Sequence, residues 1–280
     1  MCLRELSSVL SAPLSIIVNT SITSGTLPEI WKYAIVTALF KKGDRKVAGN
    51  YRPVSLTCII CKVLESIVRE NIVNHMKQNR LFSKKQFGFI SGRSTVLQLV
   101  QVLDKWIEIL DMGGCVDVIY CDFMKAFDKV PHLRLIHKLG MYGISEPFRS
   151  WIKSFLLSRK QRVAVNGQNS EWKDVTSGIP QGSVLGPILF VLYINDLPDV
   201  THTDTNTYPF ADDTKVFRAI LKPEECEKLQ EYLYIMQQWT DEWLLCFHPD
   251  KCKVMRIGKS NINKHQYKLK EDGNTLQSRG

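Results

Sequence analysis

Two aspartates stand side by side in YPFADDTKVF (208–217), Asp212 and Asp213, between flanks that read as buried strand. Unit charges about 4 Å apart repel by roughly 4 kcal/mol at an effective dielectric of about 20. A solvated turn tolerates that, and so does a site that holds a cation. A third carboxylate, Asp122, closes the apolar stretch CVDVIYCDF (115–123). It either caps the following turn or joins the other two, since an antiparallel sheet can bring two strand ends together. Three carboxylates gathered in one place need divalent cations, and carboxylate-rich sites suit Mg2+, which keeps waters and binds substrate phosphates. Two such ions about 3.5–4 Å apart can activate an attacking 3′-hydroxyl and stabilise a leaving pyrophosphate.

The rest of the chain must supply a frame for those carboxylates. With 44% hydrophobic and 23% charged residues, the 280-residue sequence fits a packed protein and not a disordered one. Lys and Arg outnumber Asp and Glu by 37 to 28, a net charge of +9 that favours a polyanionic partner such as nucleic acid. Of eight cysteines, Cys58 and Cys61 form a CxxC inside an apolar run at helical spacing, and the others are scattered. That pattern predicts core packing and reduced thiols, hence an intracellular protein, nuclear or cytoplasmic. The longest apolar run, 184–194, contains Gly186 and Pro187 and is too short for a bilayer, so no membrane partner is expected. Arg4, Glu5 and the following serines do not read as a signal peptide, and the start looks cut from a longer chain.

Periodicity predicts a long amphipathic helix over 56–79 and a second one opening at Ser94 as N-cap, with Leu97, Val100, Leu103, Ile107 and Leu110 as its apolar face. A strand over 115–123 follows. Then come a short helix after Pro131, a helix near 146–157 and a hairpin turning at Asn166-Gly167. A buried helix over 183–195, a hairpin over 208–217, a helix over 223–243, a strand at KCKVMRIG and a last hairpin turning at Asp272-Gly273 complete the pattern. This order is α+β, an antiparallel sheet backed by helices.

Six blocks in one order carry a resemblance: LFKKGDRKVAGNYRPVSLT, QFGFISGRST, DFMKAFDKV, SGIPQGSVLGPILF, FADD and FHPDKCKVMRIG. From about residue 27 to 258 the chain resembles the reverse transcriptase domain of a non-LTR (LINE-type, jockey-like) retrotransposon. The resemblance implies the fingers and palm of a right-hand polymerase. A helical lead-in covers 1–26, fingers 27–95 and 132–176, palm 96–131 and 177–262, and the start of a hairpin or thumb region 263–280. It implies RNA-directed DNA synthesis with an RNA template, a DNA primer, deoxynucleoside triphosphates and two Mg2+, with Mn2+ as a substitute.

The same resemblance makes Asp122 and Asp212 direct metal ligands, Asp213 a less direct one, and the Phe123 carbonyl a further oxygen. Phe127 becomes the wall beneath the incoming sugar, where a ring excludes a ribose 2′-hydroxyl; core packing is its other role. Arg52, with Lys41 or Lys42, grips the triphosphate, since a guanidinium donates two parallel hydrogen bonds to phosphate. Gln181 touches the nascent pair or the template backbone, and Gly182 allows close approach of backbone and nucleotide. Lys251 is the proton donor to pyrophosphate. Gly92 and Arg93, just before a helix, suit a template phosphate. Trp151 and the basic run 158–162 either follow a nucleic-acid backbone or form a solvated edge.

Three positions depart from the pattern: Phe210 where many members have tyrosine, Pro209 inside a strand, and His248 where asparagine is frequent. An upstream endonuclease and a complete thumb are expected in the family and are not found in this sequence, which predicts weak primer extension. The rival readings are a non-catalytic nucleic-acid-binding remnant, a ribonucleotide polymerase and a two-metal nuclease.

Overall fold

The computed structural model of the chain describes residues 5–200, 204–259, 261–270 and 273–278. In chain order come α1 (Ser7–Ser24), β1 (Tyr33–Phe40), β2 (Tyr51–Leu56), α2 (Ile59–Gln78), α3 (Thr95–Asp111) and β3 (Cys115–Asp122). Next are α4 (Ala126–Lys129), α5 (His132–Met141), α6 (Phe148–Leu156), β4 (Arg159–Val165), β5 (Gln168–Asn169) and β6 (Lys173–Val175). The remainder is α7 (Gly186–Tyr193), β7 (Asn206–Phe210), β8 (Asp213–Ile220), α8 (Glu224–Glu242), β9 (Lys253–Ile257) and β10 (Gln277–Ser278). These form two compact units, Met1–Leu81 with Val130–Leu189, and Phe82–Lys129 with Phe190–Gly280. Residues 82–95 therefore fold with the second unit and 177–189 with the first, whereas the sequence divisions fall at 95/96 and 176/177.

The first unit holds a sheet in the order β2-β1-β4-β5, with β6 also on β4. All its pairs are antiparallel except β1 with β4. The turn into β5 uses Asn166 at φ +49° and Gly167 at φ +79°, the two left-handed residues a two-residue hairpin turn needs. Helix α2 buries Leu64, Val68, Ile72 and Met76. Cys61 is buried with them, and burial pushes its thiol up to about 12, so half of the CxxC is core. Trp151 is buried too, its Nε1 donating to Ser21 Oγ at 2.9 Å, and Arg159 is buried with Nη1 on the Phe155 carbonyl. Neither Trp151 nor Arg159 lies along a surface path for a nucleic-acid backbone; the aromatic and the first arginine of the basic run are packing residues.

The second unit holds a sheet in the order β10-β9-β3-β8-β7, antiparallel except for β10 with β9. The central strand β3 is covered on both faces, which explains why it is apolar apart from Asp117 up to its last residue. Val116 and Val118 join Phe87, Val102, Ile109, Tyr208 and Phe217 in one cluster, with Trp106 of α3 against it. Asp117, on the opposite face, meets Cys226 of α8. Ser94 caps α3 as expected, its hydroxyl accepting from Leu97 N–H at 3.2 Å.

The face of α3 differs from the sequence reading. Gln98, Val102 and Ile109 are buried, whereas Leu97, Val100, Leu103 and Ile107 are 49–58% exposed. The apolar arc of α3 is broad and the buried strip lies at its border with the polar side, so spacing alone did not choose it. Gln98 did: its amide reaches the Tyr208 and Pro209 carbonyls at 3.2 and 3.0 Å and fixes the rotation. Pro209 sits in β7 at the sheet edge, where its missing N–H costs no ladder bond. Near the C-terminus Lys268 bridges Thr275 and Leu276 N–H meets the Tyr267 carbonyl. The expected hairpin turn includes Asp272, which lies outside the described residues.

Candidate active site

The carboxylates lie in the second unit. Strands β3 and β8 pair so that Asp122 is directly opposite Asp213. Strands β7 and β8 close around a two-residue turn, Ala211-Asp212, with Phe210 paired to Asp213. All three acids therefore meet at one end of one sheet, from segments some ninety residues apart. Burial raises the Asp213 pKa above the ordinary aspartate range, and the negative charges of Asp212 and then Asp122 raise it further. A cleft of about 310 Å3 beside them is lined by Asp122, Asp213, Thr214, Lys215, Lys251 and Lys253 with Tyr120 and Cys121.

Lys251 Nζ donates to Asp122 Oδ1 at 3.0 Å. The lysine is delivered by a turn at His248, whose N–H meets the Asp122 carbonyl at 2.8 Å and whose carbonyl accepts from Lys251 and Cys252 N–H. His248 thus works through its main chain, which any residue but proline provides. A bridge between Phe123 and Phe247 continues the pairing, with their rings stacked 4.8 Å apart. That bridge uses the Asp122 carbonyl and the Met124 N–H, so it does not consume the Phe123 carbonyl.

The donor set fits a divalent cation. Asp122 and Asp212 add to the raised proton affinity of Asp213 at the edge of a cleft, and an ammonium already stands against Asp122. The side chains are not closed into a cage: among the described residues no three His, Cys, Asp or Glu groups converge to hold a metal.

A family model described as reverse transcriptase (RNA-dependent DNA polymerase) matches residues 40–271. The chain belongs to the reverse transcriptase family. It is 31% identical over 249 residues to the RNA-directed DNA polymerase from mobile element jockey of Drosophila melanogaster, covering 85% of this chain and 27% of that protein. It is 30% identical to the probable RNA-directed DNA polymerase from transposon X-element of the same organism, with the same coverage. The chain thus spans about a quarter of the length of these relatives. Among solved structures it is similar to apo telomerase from Candida tropicalis, with a TM-score of 0.61 at 12% identity over 89% of this chain and 49% of that one. That similarity concerns the fold, and it agrees with the α+β polymerase architecture read from the sequence.

In this reverse transcriptase chain Phe127 is half-buried and stacks on Phe190, centroids 4.6 Å apart, so one ring face is packing. Gly92 has φ +85° with open space where a Cβ would stand. Arg93 is turned inward. Its Nη1 donates to the Ser83 carbonyl at 2.5 Å and to the Gln86 carbonyl, and burial lowers its pKa.

The first unit carries the remaining expected residues. Arg52, Lys41 and Lys42 are exposed at the β1–β2 hairpin, where Leu39 pairs with Arg52 and Lys41 N–H meets the Asn50 carbonyl. The Gln181 carbonyl accepts from Ser55 N–H at 2.7 Å. Gly182 has φ +104°, and a Cβ there would sit 2.9 Å from the Ser55 carbonyl, so the close approach it allows is to β2. The loop is held from behind by two buried groups. Glu65 Oε2 accepts from Val184 and Leu185 N–H at 2.6 and 3.1 Å, and burial raises its pKa. His132 Nε2 bonds the Gly178 carbonyl at 2.7 Å.

Four supporting residues escaped the sequence reading: Gln86, Gln98, Glu65 and His132. Glu65 was discoverable in principle, as a charge on the apolar stripe of α2 among Cys61, Leu64 and Val68. The two glutamines leave no periodic signal.

Proposed function

We propose that this chain is the polymerase part of a retrotransposon reverse transcriptase, adding deoxynucleotides to a primer 3′ end on an RNA template. The observation that carries the reading is the in-register pairing of Asp122 with Asp213 beside the Asp212 turn and a basic-rimmed cleft. Asp122, Asp212 and Asp213, with the Phe123 carbonyl, would hold two Mg2+ or Mn2+. Bound there, the ions would supply Lewis acidity to the attacking 3′-hydroxyl and the departing pyrophosphate.

The chain's own residues do the rest. Lys251, within reach of Asp122, would hand a proton to the pyrophosphate. Phe127 keeps one ring face on Phe190 and presents the other to the sugar. Arg52 binds the triphosphate with Lys41 or Lys42, which follow the end of β1. Gln181 contacts the nascent pair, with Gly182 seating its loop. Gly92 would face a template phosphate, and Arg93 would hold that segment in place from inside. In this reading the second unit is palm and the first is fingers. Its thiols stay reduced, consistent with an intracellular location, and seven cysteines among the described residues are free. No helix among the described residues is long and apolar enough to cross a membrane.

The test is nucleotide incorporation on a primed RNA template with Mg2+ or Mn2+. Asp212→Asn should lower it by about 10²- to 10³-fold, the equivalent of several kcal/mol of lost charge stabilisation. Equal incorporation by parent and variant removes the catalytic reading. Salt-sensitive RNA binding with no incorporation by either favours the binding-remnant alternative.

A further inference from the structure

We propose that Gln86 is a positioning residue that ties down the aspartate-bearing turn and so sets turnover. The proposal rests on the polymerase reading above. Gln86 is fully buried in the second unit, in the QFG stretch far from FADD in sequence. Its Oε1 accepts from Gly88 N–H at 2.7 Å and from Ala211 N–H at 3.2 Å. Ala211 is the residue immediately before Asp212. It is buried and holds φ +55°, a left-handed backbone that a residue with a Cβ adopts under constraint.

An independent set of contacts holds the same segment against the turn. Phe87 N–H donates to the Pro209 carbonyl at 3.1 Å, so residues 86–88 lie along the outer edge of β7. Gly88 presses so closely that an added Cβ would collide with the Ala211 backbone nitrogen. Arg93 anchors the segment through the Ser83 and Gln86 carbonyls. Gln98 grips the strand before the turn, and its Oε1 accepts from Lys215 Nζ at 3.0 Å. The connection runs from Arg93 to Gln86, from Gln86 to Ala211, and from Ala211 to Asp212 by the chain itself.

The amide is held by its oxygen. Two N–H donors face it, and Nε2 is buried without a partner among the described residues. Glutamate at this position would keep the acceptor in either protonation state and lose no bond. Methionine would keep the length and remove the acceptor. Asparagine would keep the amide and draw it back by one methylene.

The test compares parent, Gln86→Met, Gln86→Asn and Gln86→Glu by single-nucleotide incorporation with Mg2+, by Mn2+ affinity from electron paramagnetic resonance, and by amide exchange at Ala211. Gln86→Met and Gln86→Asn should each lower kcat about tenfold with KM for the deoxynucleotide changed less than about twofold, and weaken Mn2+ binding in parallel. Gln86→Glu should restore both to within about threefold of the parent. Unchanged kcat and Mn2+ affinity in Gln86→Met overturns the proposal, and so does equal loss in the glutamate variant, which marks plain core packing. If Gln86→Met does not fold, Gln86→Asn decides. If the parent incorporates nothing, the polymerase reading falls, and exchange at Ala211 decides this inference alone. About fivefold faster exchange in Gln86→Met, reversed in Gln86→Glu, supports the tether, and unchanged exchange overturns it.

Discussion

Lys251 places two opposed demands on Asp122. Its Nζ stands 3.0 Å from the carboxylate, with 57% of the lysine side chain exposed. An ion pair so exposed contributes about 0–1 kcal/mol, so an arriving cation displaces it at little cost. In the proposed reaction the same lysine donates a proton. Lys251→Met should therefore bind Mn2+ up to about fivefold more tightly, because the competitor is gone. Incorporation should fall about 10²-fold, the lower range for a general acid. A titration showing weaker Mn2+ binding would contradict the displacement argument. Phe127 also works at this scale. Phe127→Val removes the ring that stacks on Phe190, and ribonucleotide incorporation should rise at least about tenfold relative to deoxynucleotide. Unchanged discrimination in paired kinetic assays would leave Phe127 with packing alone.

Among the elements, the loop before α7 depends on α2. Glu65 is an acid whose pKa is raised on folding, mainly by burial. A raised folded value means the folded state holds the proton more tightly than the unfolded one. The stability it provides is whole below the ordinary glutamate range and is lost as pH climbs through the raised value. Glu65→Gln does not titrate and keeps an oxygen for the Val184 and Leu185 N–H groups. In urea denaturation the variant should gain on the parent steadily as pH rises above the ordinary glutamate range, and parallel pH profiles would show that burial does not govern Glu65. Element types were legible wherever one stripe or one turn stood out, as at Ser94, at Asn166-Gly167 and along β3. They were illegible in orientation where the apolar arc of a helix is broad, as in α3.

At the scale of the molecule, the second unit is bound together through Asp117. This buried acid accepts from Arg256 Nε and Nη2 at 2.6 and 2.7 Å and from the Tyr267 hydroxyl at 2.7 Å. It links the central strand β3, its neighbour β9 and the segment after β9 that carries Tyr267. The bidentate arginine and the carboxylate hold the Arg256 pKa above its usual value, and burial beside Asp117 raises that of Tyr267. Asp117→Ala would leave a buried guanidinium unpaired and should destabilise the unit by about 3–5 kcal/mol. Chemical denaturation monitored by tryptophan fluorescence measures it; a loss below about 1 kcal/mol would place this cluster outside the stabilising core.

By itself the sequence marked the three carboxylates and the strands that carry them. Asp122 ends an apolar run, Asp212 and Asp213 interrupt another, and such placements are costly enough to be informative without coordinates. It also marked the Asn166-Gly167 turn, where both residues prove left-handed. Only the tertiary structure decided that Asp213 is the residue facing Asp122, since register depends on two strands at once. It alone decided that Arg93 points inward and that Trp151 is core. It also revealed Gln86 and Gln98, because a buried amide that serves one backbone N–H or carbonyl leaves no period in the chain. Such groups are selected by the geometry of a partner more than a hundred residues away.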